Sequence, residues 1–199
     1  PLAVSAAHGE GLVALHNGIL EAMEAYAAAN AEATARTLED EEIAGDDGDG
    51  DDGDEDDEGD HILQLAILGR PNAGKSTLVN RLLGEERQIT GPEPGLTRDA
   101  IGVAWQWREQ AIRLIDTAGL RKQAKVTEKL EKLSADDAVR AMEYAQVVVL
   151  LLDARTPLER QDLAIARRTL DEGRALIVAA NKWDLVSDRN AAMGQLRDR

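Results

Sequence analysis

The sequence predicts an α/β fold with a mostly parallel central sheet, and three observations carry that prediction. Apolar runs rich in β-branched residues, "ILQLAIL" (62–68), "VVVLLLD" (147–153) and "ALIVAA" (175–180), mark strands covered on both faces. Segments of helical character alternate with them. A glycine-rich turn, "GRPNAGKST" (69–77), joins the first run to a helix expected from about Lys75 to Leu83.

The remaining elements follow in order. "PLAVSAAHGEG" reads as a short strand and turn. Leu12, Leu15, Ile19, Ala22 or Met23, and Tyr26 then recur at helical spacing and give one apolar face. The Ala-rich continuation loses that face and is expected to fray near Thr37. After the glycine-rich turn, "AIGVAWQW" (100–107) and "AIRLID" (111–116) form two strands around a tight turn. Helices are predicted over roughly 127–144 and 159–171.

The 199 residues suffice for one ordinary domain plus a smaller piece. With no cysteine there is neither a disulfide nor a zinc-thiolate site, and a reducing, cytoplasmic setting is expected. The longest apolar run, "VVVLLL", is far short of the roughly 20 residues that span a bilayer. The chain opens at Pro1 without a secretory or transit signal and is read as a piece of a longer protein. Its formal charge of −15 sits in one place: residues 39–60 hold 15 acidic and no basic side chains. Self-repulsion and the lack of apolar groups predict a disordered acidic linker there, a solvated spacer in preference to a docking arm. The expected organisation is a strand–loop–helix remnant (1–38), the linker (39–60) and a larger domain (61–199).

Four motifs carry chemistry. The spacing G-x-x-x-x-G-K-S from Gly69 to Ser76 is that of a phosphate-binding loop, in which backbone N–H groups of Gly69, Arg70, Pro71 through Thr77 (proline excepted as a donor) enclose a polyphosphate. Asn72, Ala73 and Gly74 form the loop's turn. Lys75 would reach the β and γ phosphates, and the Ser76 hydroxyl would ligate Mg²⁺. "DTAG", Asp116–Thr117–Ala118–Gly119, ends a strand where a carboxylate can hold Mg²⁺ through water and a glycine N–H can meet a γ-phosphate. In "PGLTRD" (94–99), Thr97 can complete the Mg²⁺ shell and release it after hydrolysis. "NKWD", Asn181 to Asp184, decides the base. The Asp184 carboxylate accepts from guanine N1–H and its exocyclic amine, whereas adenine offers an acceptor and a C–H there, a mismatch worth roughly 10⁴ in discrimination. Lys182 would lie along the base, and Asn181 would tie this loop to the phosphate loop.

With these motifs in order the sequence resembles translation-factor-class GTPases, and more closely the bacterial double-GTPase family Der, also called EngA. "GRPNAGKSTLVNRLLG", "PGLTRD", "LIDTAGLRK", "EKLS" and "NKWD" match its second G domain over residues 62 to about 186, and the acidic linker matches the family's interdomain segment. The resemblance implies a Ras-like G domain of the P-loop NTPase class. It makes "VSAAHGEG" the last guanine-contacting loop of a preceding G domain, with Ser5 and Ala6 at the base. It also implies that most of that first domain, and the second domain's own Ser-Ala loop, last strand and helix and the following KH domain, lie outside the chain. Residues 1–38 and 61–199 together hold one full motif set in permuted order, so strand Leu2–Ser5 is expected to dock beside 175–180 and bring Ser5 and Ala6 to the base site.

The resemblance further implies GTP hydrolysis to GDP and phosphate, a nucleotide-gated role on the maturing large ribosomal subunit and its RNA, and a monomer. Leu120 stands where many GTPases have a water-orienting glutamine. Family members of this kind use K⁺, held partly by an asparagine at the position of Asn72; the catalytic set is then Lys75, Thr97, Gly119 and Asn72. Because Leu120 cannot orient water, a binding module with negligible turnover remains the alternative. Arg98 is read as pairing with Asp99 more readily than as a finger. The basic run 121–132 is either an RNA contact or a solvated helix, Trp105 and Trp107 are packing residues, and His8, His16 and His61 suggest no metal cluster.

Overall fold

In the structure, a computed structural model, residues 1–42, 62–85, 103–107, 110–115 and 141–198 are described. Strands β1 (Leu2–Ala3), β2 (Leu63–Leu68), β3 (Val103–Trp107), β4 (Gln110–Leu114), β5 (Val147–Asp153) and β6 (Ala175–Asn181) form one sheet in the order β1-β6-β5-β2-β4-β3. Only β3 is antiparallel to its neighbour, where it forms a hairpin with β4. Helices α1 (Leu12–Glu42), α2 (Lys75–Glu85), α3 (Arg160–Asp171) and α4 (Arg189–Arg197) cover the faces, with a 3₁₀ turn at Trp183–Leu185.

The apolar runs explain the layering. Val147 to Leu152 are all buried, and successive side chains alternate across the sheet. Val147, Val149 and Leu151 join Leu12, Leu15 and Ile19 of α1 and Leu78, Val79 and Leu82 of α2 in one core. Val148 packs with Ala141, Met142 and Ala145, while Leu150 and Leu152 pack with Leu196 of α4, and Ile165 of α3 lies against both groups. A strand that must satisfy two helical layers cannot alternate apolar with polar, and β5 does not.

The expected docking of the N-terminal strand is present in the fold. Leu2 and Ala3 pair in parallel with Ala179 and Ala180, and Val4 N–H donates to the Ala180 carbonyl at 2.9 Å. The strand is shorter than the expected Leu2–Ser5, because Ser5 turns away to bridge Glu10. Gly11 permits that turn: its φ is +76°, and a Cβ there would collide with the Ala3 carbonyl. Helix α1 then packs its predicted face, with Tyr26 Oη accepting from Arg174 Nη1 at 3.1 Å. It continues to Glu42 and does not fray near Thr37, taking in the first four residues assigned to the linker. Ala, Leu and Glu are strong helix formers, and here propensity outlasts the apolar face. Residues 43–60 lie outside the described residues.

Candidate functional site

The chain leaves β2 in opposite directions, toward β4 and β3 on one side and β5 and β6 on the other. Open α/β sheets bind ligands at the carboxyl ends of strands around such a reversal. The predicted motifs end those strands here: Gly69 follows β2, Asn181 closes β6, and Val4 to Ala6 follow β1.

At the phosphate end, Gly69 has φ +148°, and a Cβ there would run into the Leu151 carbonyl, so the loop can leave the sheet only through glycine. Asn72 holds φ +62°, a left-handed conformation that asparagine tolerates better than most residues. Lys75 opens α2 and is 7% exposed, with Nζ donating to the carbonyls of Gly69 and Arg70, both at 2.8 Å. Two neutral carbonyls compensate a buried ammonium poorly, and desolvation lowers its pKa to about 8. An anion placed there would supply the opposite charge that this group is short of. Ser76 is half-buried beside it, whereas Pro71, Asn72 and Thr77 are exposed and Ala73 is buried.

At the base end, the buried Asn181 joins three segments. Its Nδ2 donates to the Ala73 carbonyl at 2.8 Å, and its Oδ1 accepts from Ala6 N–H at 2.9 Å. Gly74 is what lets that amide approach, since a Cβ at its φ of +99° would strike Asn181 Nδ2. Lys182, at φ +61°, donates Nζ to the Asn72 carbonyl at 2.6 Å and to Asp153 Oδ2 at 2.8 Å. Asp184 Oδ1 accepts from the fully buried Ser5 Oγ at 2.6 Å, and His8 Nε2 stands 3.7 Å from Oδ2. The Ser5 hydroxyl is the main cause that holds the Asp184 carboxyl below its usual range. Trp183 N–H, between these residues, donates to the Val4 carbonyl at 3.1 Å. The N-terminal segment therefore forms one wall of the base-end loop.

The other predicted residues are Arg70, which keeps its expected place in the loop, and a group that is not described. Arg70 contributes its backbone to the loop, but its side chain turns away to the start of α3. There Nε meets Asp162 at 2.9 to 3.0 Å, Nη1 meets Glu159 Oε2 at 2.7 Å, and Nη2 donates to the Thr156 carbonyl and to its Oγ1. Thr97, Asp116, Thr117, Ala118, Gly119 and Leu120 lie outside the described residues. Asp153 and Asp162, which touch Lys182 and Arg70, were not among the predicted site residues, because each acts across 29 or 92 positions of sequence. The one local hint is that Asp153 is a charge closing an otherwise apolar strand.

The chain aligns over its whole length with curated relatives named GTPase Der. It is 50% identical to that of Rhizobium leguminosarum bv. trifolii and 48% identical to that of Parvibaculum lavamentivorans, and spans 42% of the length of each. Among solved structures, Era in complex with MgGDPNP and nucleotides 1506–1542 of 16S ribosomal RNA is 24% identical, over 69% of this chain and 46% of its own, with a TM-score of 0.46. Residues 64–182, more than half of the chain, match the family described as 50S ribosome-binding GTPase, and the chain belongs to that family.

Proposed function

We propose that this chain binds GTP and GDP in one site and hydrolyses GTP to GDP and phosphate, as a nucleotide-gated switch in large ribosomal subunit maturation. The observation that carries the reading is the double contact of Asn181, which ties the Ala73 carbonyl of the phosphate loop to the Ala6 amide of the base wall and so holds the two ends of one mononucleotide site together. Lys75 neutralises the β and γ phosphates, assisted by the backbone N–H groups of the loop from Gly69 to Thr77, Pro71 excepted. Asp184 reads the guanine edge, Lys182 lies along the base, and Ser5 and Ala6 close its far side. Residues 1–38 act as a remnant that completes the site, and 39–60 tether it to the domain 61–199.

Ser76, Thr97 and Asp116 offer hydroxyl and carboxylate oxygens, the hard donor set that suits Mg²⁺, and Ser76 lies half-buried next to Lys75. Bound there, Mg²⁺ would neutralise phosphate charge. Asn72, exposed at the loop's left-handed turn, carries an amide oxygen of the hard type that K⁺ takes and would be its ligand. Thr97 and Gly119 serve the γ-phosphate. The protein acts as a cytoplasmic monomer whose ribosomal partner is read from the family description. Among the described residues no helix is long and apolar enough to cross a membrane.

Titration with GTP, GDP and ATP in potassium buffer tests the binding claim: the guanine nucleotides should bind and ATP should not compete. Equal affinity for ATP would end the reading. Leu120 favours one second reading, a guanine-nucleotide module without turnover. Single-turnover hydrolysis with and without large ribosomal subunits separates the two, since a module shows no chemistry in either. The hydrolytic reading expects a slow rate that is faster in K⁺ than in Na⁺.

A further inference from the structure

The connection from the end of β5 into α3, residues 153–162, belongs to none of the nucleotide motifs, yet its side chains touch both ends of the site. Asp153 receives Lys182 Nζ at 2.8 Å, and Lys182 also reaches the Asn72 carbonyl. Asp162 is fully buried and faces the Arg70 guanidinium at 2.9 to 3.0 Å, while its Oδ2 also accepts from Glu159 N–H at 3.1 Å. A carboxylate taken wholly out of water is tolerable only with such compensation. Arg70 spends its donors on three residues of this connection, Thr156, Glu159 and Asp162, so its planar fork fixes both position and rotation. Its carbonyl, on the opposite side of the same residue, accepts from Lys75 Nζ.

We propose that Asp162 is a positioning residue for nucleotide binding: by gripping the Arg70 side chain at the start of α3, it fixes the phosphate-loop backbone that presents Lys75 and the loop amides. Asp162 touches no nucleotide itself. Losing the grip frees the Arg70 side chain and lets the loop sample conformations that cannot enclose a pyrophosphate. The inference rests on the reading of the loop as a GTP and GDP site and adds to it a residue that the motifs do not contain.

The test is a double-mutant cycle of Asp162→Asn and Arg70→Gln in the full chain, read as the affinity for GDP and for inorganic pyrophosphate, alongside the thermal midpoint of each unliganded variant. Each single change should weaken both ligands about tenfold, the scale of one charge-assisted hydrogen bond. The double variant should lose no more than the worse single one, because both changes break one linkage. A residue that merely supports the fold would instead lower the midpoint and leave the affinity of the folded protein for both ligands unchanged. Unchanged GDP affinity in a folded Asp162→Asn protein, or fully multiplying losses, overturns the proposal. Should either variant not fold, hydrogen exchange on the unaltered chain decides: saturating GDP is expected to slow exchange of the amides at the start of α3, and equal exchange with and without GDP overturns the proposal. An unaltered chain that binds no GDP overturns both this inference and the reading beneath it, whereas normal binding with an indifferent Asp162 removes the inference alone.

Discussion

The two ends of the site are built by opposite means. The phosphate end is local: nine consecutive residues, Gly69 to Thr77, leave one strand and enter one helix, and Lys75 bonds to carbonyls five and six residues before it. The base end is assembled from three segments, with Ser5 meeting Asp184 across 179 positions and Ala6 meeting Asn181 across 175. Local construction makes a site legible and robust. Remote construction makes it conditional on docking. Electrostatics separate the ends further, for burial destabilises the charge of Lys75 while a hydrogen bond stabilises that of Asp184.

The harshest way to break the comparison is Lys75→Met. Removing an ammonium that would make two or more charge-assisted bonds to phosphate should cost about 1,000-fold in GDP affinity. Calorimetric titration checks it, and guanosine affinity should hardly change, since the base end stands apart. Asp184→Asn comes next. It leaves the size of the side chain but places a donor where a second acceptor is required, so the preference for GTP over ATP should fall by about 100-fold or more in competition binding. Pyrophosphate should bind this variant as it binds the unaltered chain.

That division is also what made some of the molecule readable and left the rest hidden. The phosphate loop, β5, β6 and the Asn181–Asp184 loop are each specified within a short window, and each forms near its expected bounds. Docking of Leu2–Ala3 has no local signature; only the resemblance of the "VSAAHGEG" turn to a family's base-contacting loop points to it. Arg70 shows the limit most plainly. Its place in the motif gives its backbone a part in the loop and says nothing of its side chain, which answers to a buried aspartate on another helix, and no periodicity links positions 70 and 162. The end of α1 was missed for a different reason, because a one-sided apolar face is not required for a helix made of strong formers.

A milder perturbation is pH, and it acts on the phosphate end alone. In the free folded chain Lys75 titrates near 8, against 10.5 for an ordinary lysine. Between those values the unfolded chain keeps a proton that the folded one has shed, so this group makes the free protein more stable as pH rises from about 8 toward 10.5. Bound phosphate reverses the preference by stabilising the ammonium, and binding then takes up a proton. Pyrophosphate affinity should therefore fall as pH climbs through 8, by up to about tenfold per unit, beyond the change that phosphate ionisation itself produces. Lys75→Met supplies that baseline. A profile of the unaltered chain that runs parallel to it would mean that the ammonium is already compensated in the free protein.

The smallest expected effect belongs to Ser5→Ala, and it probes the remote half most directly. The hydroxyl orients Asp184 and lowers its pKa, but the carboxylate is partly exposed and water can replace one of its partners. Loss of that bond should weaken GDP by about fivefold, near the scale of one modest hydrogen bond, while pyrophosphate affinity stays constant. Ala6 N–H still holds Asn181 in this variant, so the wall remains docked and the change reports on orientation alone. If pyrophosphate weakens in step with GDP, the base wall and the phosphate loop move as one body through Asn181, and the distinction between a local end and an assembled end would have to give way to a single coupled site.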